Sequence, residues 1–354
     1  MSTLPAYRSN RIVELMGESA ELRGADWLKD SLQQAVLLEL ATLPPYLCAM
    51  WSIEDQDGVA CEAIRRIVFD EMSHLGLAGN LLTTIGGAPR LADGRTVPTY
   101  PGPLPGGVHP GLIVSLGGLT KESVELFSRI EEPEEPITRA GADTSIGAFY
   151  TAILDVFRDD TDLIRGTRQL TRDMSDQGAG NSVVAITSFS DVKAAIDVIK
   201  EQGEGTAASP ENPFPGESGE LAHFYVFQEI YHGRKLIKTS EDPVRWDFAG
   251  DEVPMPPAFP MGTVPPGGWI ASGTAPDVTA QELIDAGNQG YSALLRFLEQ
   301  AWQTDTPAEA HQLLNKAIAQ MFTLQDPARS LMSREIPDGS GRTYGPEFRY
   351  IDAQ

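Results

Sequence analysis

Residues 61–82, CEAIRRIVFDEMSHLGLAGNLL, place Glu71 and His74 in the middle of an apolar stripe of helical period made by Ile64, Ile67, Val68, Leu75, Ala78, Leu81 and Leu82. A helix with room on its solvent side does not bury a carboxylate and an imidazole unless something in the interior compensates them. The same requirement returns in residues 217–236, ESGELAHFYVFQEIYHGRKL, where Glu220 and His223 again stand three apart. On a helix, residues three apart point the same way, so each pair offers two ligand atoms to one point. Two more carboxylates join them on apolar segments: Glu39 in AVLLELATLPPYL and Glu204 at the end of IDVIKEQGEG. One Glu, one Glu-x-x-His, one Glu and one Glu-x-x-His on four successive helices is the ligand pattern of a dinuclear carboxylate bundle. In the usual arrangement of such a bundle His74 and Glu39 serve one ion, His223 and Glu204 the other, and Glu71 and Glu220 bridge.

Around these residues the chain reads as mostly α. The expected helices run from Asp26 to Ile53, kinked but not ended at Pro44-Pro45, and from Cys61 to the Gly86-Gly87 stop. Others are expected over Thr120 to Ile130, Ser145 to Arg158, Ser190 to Glu204, Glu217 to Lys238, Ala280 to Gln303 and Pro307 to Ser333. Between them lie two long stretches rich in Pro and Gly, Ala88 to Gly118 and Glu241 to Pro276, long enough to roof a site. No strand signal stands out. The expected organisation is an all-α, four-helix bundle over residues 20–239, with a surface loop and two further helices over 240–354 packed on it as one structural unit.

Several alternatives stay open at the residue level. Glu122, on the helix after the first long loop, competes with Glu204 for the fourth carboxylate, while Glu201 points away from the apolar face of its helix. Glu229 and His232 form a third pair, but Glu229 lies about 180° around the helix from Glu220, so both cannot face one core. Glu220 and His223 are preferred because Phe224, Phe227 and Tyr231 share their side, which leaves Glu229 and His232 a solvated or tertiary polar role. Tyr46 and Tyr225 are within reach of such a pocket. His109, in a Pro/Gly loop, and His311, without an acidic partner at the right step, read as structural or surface residues.

Composition narrows the function. With 27 basic against 50 acidic residues and a net charge of −23, the surface repels phosphate backbones and anionic lipid, so neither nucleic acid nor a membrane is the expected partner. The N-terminus lacks an apolar run of signal-peptide length, and the protein is expected to be cytoplasmic. Only Cys48 and Cys61 are present, too few for a thiolate cage; both read as reduced core thiols. Carboxylates with one imidazole per ion suit iron or manganese better than zinc or copper.

At these residues the chain resembles a known family. LLELATLPPYLCAMWSI, DEMSHLGLAGNLLTTIGGAPRL, AIDVIKEQGEG, ELAHFYVFQEI and the terminal GPEFRYI are similar to the ferritin-like family typified by the iminophenylpyruvate-dimer (chromopyrrolate) synthase domain, from about Asp26 to Ile351. The resemblance implies a ferritin-like bundle, a dinuclear metal site at Glu39, Glu71, His74, Glu204, Glu220 and His223, two iron ions as cofactor with manganese as the substitute, and an origin in secondary metabolism. The expected activity is a dioxygen-dependent oxidation of a small organic substrate. An iron-handling protein without an organic substrate is the alternative, as is a non-catalytic module; an oligomer is compatible with either.

Overall fold

The computed structural model describes residues 10–132, 146–174, 180–203, 209–211, 220–272 and 276–352. Helix α1 (Arg11–Gly17) leads into α2 (Ala25–Ser52), a 28-residue helix whose last three-quarters are buried on nearly every side. By length and apolarity α2 passes for a membrane span, yet that part of it lies wholly inside the protein. Pro44 and Pro45 sit within it without ending it. A proline at 45 removes the N–H that the Ala41 carbonyl would have received, and Tyr100 Oη donates to that carbonyl instead at 2.7 Å.

A short turn returns the chain into α3 (Val59–Thr84), which packs along α2 and ends just before Gly86, a residue in the left-handed region. Helix α4 (Lys121–Ile130) opens with a capping box between Thr120 and Ser123, and α5 (Ile146–Asp159), α6 (Phe189–Gly203) and α7 (His223–His232) complete the central layer. α4 pairs with α7 and α5 with α6, and each pair lies against α2 and α3. The rings of Tyr46, Phe127 and Phe227 join α2, α4 and α7, with centroids 4.8, 5.2 and 5.3 Å apart.

The C-terminal helices are α8 (Val278–Gln303), α9 (Pro307–Phe322) and α10 (Gln325–Met332). Trp302 docks α8 onto α3: its Nε1 donates to Asn80 Oδ1 at 3.1 Å, and its ring fills space that a Cβ on Gly79 would invade at 2.2 Å. Arg329 of α10 donates to the carbonyls of Trp51 and Ile53 at the end of α2, both at 2.7 Å.

The fold is all-α, as the periodicity implies, with differences in detail, of which the short α1, not among the expected helices, is the first. The helix expected over Pro307 to Ser333 is two helices, α9 and α10, broken at Thr323-Leu324. Two small antiparallel hairpins were not anticipated: β1 (Gly102–Pro103) with β2 (Ile113–Val114), and β3 (Ile237–Glu241) with β4 (Val244–Asp247). The second starts at Ile237 and Lys238, where a helix was expected, and runs on into the stretch expected as a loop; the helix stops short because Gly233 adopts φ +72° and caps α7, its N–H donating to the Glu229 carbonyl.

Candidate metal centre

Helix α2 brings Glu39, Thr42 and Tyr46 to one face, α3 brings Glu71 and His74, α4 ends on Glu131 and α7 begins with His223. All three carboxylates and both imidazoles are buried. Two groups form: Glu39, Glu71 and His74, and Glu71, Glu131 and His223, each with ligand atoms within 4.8 Å of one another. Glu71 belongs to both. Its Oε1 lies 3.4 Å from His74 Nδ1 and 3.1 Å from His223 Nδ1, so one oxygen stands between two imidazoles. Glu39 Oε2 is 3.7 Å from His74 Nδ1, and Glu131 Oε2 is 3.8 Å from His223 Nδ1, which gives each half a terminal carboxylate.

Every carboxylate is steadied by one neutral hydroxyl. Tyr150 of α5 donates to Glu39 Oε1 at 2.5 Å, Tyr46 to Glu131 Oε1 at 2.5 Å and Thr42 to Glu71 Oε2 at 2.6 Å. Burial, followed by the adjacent carboxylates, holds both phenols well above their ordinary range, so they remain donors.

The outer nitrogens of the two imidazoles are tied into one chain. His74 Nε2 lies 2.8 Å from Gln202 Oε1, Gln202 Nε2 donates to Asp70 Oδ1 at 3.4 Å, and Asp70 Oδ2 lies 3.3 Å from His223 Nε2. A Gln202 that gives its N–H to Asp70 turns its oxygen to His74, and with the Asp70 carboxylate oxygen as acceptor on the other side both Nε2 atoms are placed to donate. Both Nδ1 atoms consequently face the carboxylates, the ring orientation that a ligating histidine needs. His223 Nδ1 is buried and makes no hydrogen bond.

The electrostatics follow from packing five ionisable groups together. Burial, reinforced by the neighbouring Glu71 carboxylate, raises Glu39 to about 8. For Glu71 burial also works upward, but the imidazoles of His223 and His74 overcome it and hold the carboxyl below its ordinary range. Burial opposes charge on His74, yet Glu71 and Glu39 lift it to about 9. His223 is raised as well, burial again being outweighed, here by Asp70, Glu131 and Glu71. Among the described residues no Lys or Arg pairs with the three carboxylates. A cavity of about 40 Å³ beside them, with room for water, is lined by Leu38, Ile130, Ile146 and Ile199 as well as the acids, and by Lys200, whose ammonium donates to Thr151 Oγ1.

Of the residues singled out in the sequence, Glu39, Glu71, His74 and His223 converge. Glu220 does not. The segment before His223 is extended, Ala222 having φ −61° and ψ 154°, so the three-residue helical step that would align Glu220 with His223 is absent. Its half-exposed carboxylate pairs with Arg66 Nη1 at 2.9 Å instead. Glu204 lies outside the described residues, while α6 ends beside the cluster: a Cβ on Gly203 would sit 3.1 Å from Glu131 Oε2. Glu122 is exposed on the far side of α4. Glu229 is buried, but Lys235 Nζ and the Leu236 N–H satisfy it at 2.6 and 2.8 Å, and the exposed His232 stacks on Phe248. Tyr225 is in edge contact with Phe224 and bonds no residue of the cluster.

Glu131 was the residue missed. It stands inside EEPEEP, where an acidic, proline-broken run reads as a solvated loop. Seven residues after Val124, it continues the buried stripe of α4 through Phe127 and Ser128, and that spacing was the available signal.

A family model described as ferritin-like matches residues 32–232, a span that contains every member of the cluster. The crystal structure of a ferritin-like protein from Caulobacter vibrioides is similar in fold, with a TM-score of 0.58 at 22% identity over 92% of this chain and 97% of that one. No curated protein matches the sequence.

Proposed function

Matched over more than half its length, the chain belongs to the ferritin-like family, and on that premise we propose that Glu39, Glu71, His74, Glu131 and His223 hold two metal ions that serve a dioxygen-dependent oxidation. The observation that carries the proposal is the position of Glu71 Oε1 between two inward-facing Nδ1 atoms, each with its own terminal carboxylate. The donors fit the group: three carboxylates that no Lys or Arg among the described residues pairs with, gathered around two imidazoles whose Nδ1 atoms face them. Oxygen-rich coordination with one nitrogen per ion favours iron or manganese.

Each half would offer three ligating residues to an ion, Glu39, Glu71 and His74 to one and Glu71, Glu131 and His223 to the other, beside a 40 Å³ cavity with room for water. An iron pair held by these residues would supply electrons to dioxygen and recover them from an organic substrate. The chain's residues prepare that chemistry. Tyr150, Tyr46 and Thr42 fix the carboxylate that each one bonds, and the Asp70–Gln202 link holds both imidazole planes. Similarity of the quoted motifs to the iminophenylpyruvate-dimer synthase domain supports a small organic substrate and a place in secondary metabolism.

Metal content by plasma mass spectrometry tests the reading, on protein purified anaerobically with iron supplied. Wild type and Glu220→Ala are expected to carry near two ions per chain, Glu131→Ala about one fewer, and Glu71→Ala close to none. A wild-type chain that stays metal-free and still melts cooperatively would end the proposal. If metal binds, dioxygen uptake that depends on an added organic reductant separates oxidation from iron storage.

A further inference from the structure

The two halves of the cluster are built alike up to their imidazoles. Each has a terminal carboxylate bonded by a buried tyrosine, Glu39 by Tyr150 and Glu131 by Tyr46, both at 2.5 Å. They share Glu71 Oε1, and each contributes one imidazole through Nδ1. The difference lies behind the rings. His74 Nε2 faces the neutral amide oxygen of Gln202 at 2.8 Å, whereas His223 Nε2 faces a carboxylate oxygen of Asp70 at 3.3 Å.

A carboxylate behind a ligating histidine draws the Nε2 proton outward and makes Nδ1 a stronger donor to metal, which a neutral amide does less well. The Asp70 contact is the longer of the two, but Coulomb attraction falls only as 1/r, so the difference in charge outweighs the difference in length. Asp70 keeps that charge for His223. Arg66, one turn earlier on α3, pairs with Glu220 at 2.9 Å, and among the described residues the ion pair of Asp70 is with His223. The Asp70 side chain is 17% exposed, so water screens it little. Gln202 sets the direction of the arrangement, because its Nε2 donates to Asp70 Oδ1 at 3.4 Å and its oxygen is left for His74.

We propose that Asp70 makes the two metal positions unequal: the one formed by Glu71, Glu131 and His223 binds its ion about tenfold more tightly than the one formed by Glu39, Glu71 and His74, and fills first. This rests on the two-metal reading above and adds to it an order of loading and the residue that sets the order. Asp70 and Gln202 ligate neither ion; both are positioning residues that act through the histidines. Exchanging their chemistry, Asp70→Asn together with Gln202→Glu, moves the charge from behind His223 to behind His74. The new amide then donates to the new carboxylate, so the link between the rings is kept.

Anaerobic calorimetry with Mn²⁺ on the chelator-stripped full chain reads the two constants. Wild type is expected to show two equivalents about tenfold apart. Glu39→Ala should retain one equivalent at the tight constant, and Glu131→Ala one at the weak constant. Asp70→Asn should bring the tight constant down to the weak one and leave the weak one in place, with Asp70→Ser as the substitute should that protein fail to fold. The exchanged double variant should recover the tenfold separation in inverted order, so that adding Glu131→Ala to it now retains the tight equivalent. A purely structural role for Asp70 would lower both constants and would not be rescued by the exchange. Equal constants in wild type, a tight constant that survives the loss of Asp70, losses shared by both positions, or an exchanged protein that keeps the wild-type order would each overturn the assignment and leave the two-metal reading standing. A folded wild type that binds no Mn²⁺ would remove that reading, and this one with it.

Discussion

Buried carboxylates occur in two regions of this protein, and they are satisfied in opposite ways. Toward the surface layers, Glu229 takes an ammonium and a backbone N–H from Lys235 and Leu236. Glu347 takes the Trp269 N–H at 2.7 Å and the Asn288 amide at 3.1 Å, with the Arg349 guanidinium 3.8 Å away. Between α2, α3, α4 and α7, Glu39, Glu71 and Glu131 receive, from the described residues, neutral hydroxyls and two shared imidazoles. Backbone amides and basic side chains suffice to bury an acid for structural ends. Where the described residues offer three acids neither of these but only two shared imidazoles, the positive charge still lacking is a property of the site, and the proposed metal would supply it.

The sharpest way to break this contrast is to remove metal. Ions held a thousandfold above their dissociation constant stabilise the folded state by about 4 kcal/mol, which for a chain of this size is on the order of 10 °C in melting temperature. A metal-loaded wild type is expected to melt that far above the chelator-stripped protein, and Glu71→Ala to show no difference between the two conditions. Equal melting of loaded and stripped wild type would put Glu39, Glu71 and Glu131 in the same class as Glu229.

Glu347→Ala probes the other side. It leaves the Trp269 N–H and the Asn288 amide buried without their acceptor, a loss of roughly 2 to 4 kcal/mol, while the metal content is expected to stay at the wild-type level. Loss of metal from a folded Glu347→Ala protein would show that the two regions are not independent.

How much of this contrast was visible in the sequence depends on the scale of the signal. Helices α2 to α6 and α8 were legible because each carries a long apolar period, and Glu39, Glu71 and His74 were legible because they interrupt that period. Glu220 was misplaced because helix α7 starts at His223, and a boundary shift of a few residues is enough to void a three-residue step. Glu229 was set apart from the ligands by its position around the helix, but the partner that satisfies it, Lys235, lies six residues on and past a left-handed glycine, where no helical step announces it. Glu131 was hidden by its neighbours' composition, since an acidic run looks solvated whichever of its members turns inward. The chain Asp70–Gln202 joins residues 132 positions apart, which no local pattern announces.

Acidity separates the regions next. In the stripped protein Glu39 has its pKa raised from 4.5 to about 8 and His74 from 6.5 to about 9. A raised folded-state pKa gives stability that is complete below the unfolded value and is lost as pH climbs through the folded one. Both groups act in the same direction, so the metal-free protein is expected to lose stability steadily from about pH 5 to pH 9. Chemical denaturation of the stripped protein across that window measures it, and the decline should be shallower in Glu39→Gln. A midpoint that stays flat or rises over the window would contradict the electrostatics of the cluster.

The smallest expected effect is the most local. Tyr150 touches only the Glu39 half and Tyr46 only the Glu131 half, while Thr42 steadies the shared Glu71. Tyr150→Phe removes one neutral donor and leaves Glu71 as it was. It should weaken one of two manganese equivalents by roughly tenfold, the ordinary scale for a partner of a metal ligand, and Tyr46→Phe should weaken the other. Anaerobic calorimetry with Mn²⁺ resolves the two equivalents, and combining the substitutions should add their effects, because they share no partner. If either variant lowers both equivalents in parallel, the halves are one coupled site. The hydroxyls would then be holding Glu71 through the backbone packing of α2 against α3, and the picture of two terminal carboxylates with separate supports would have to be given up.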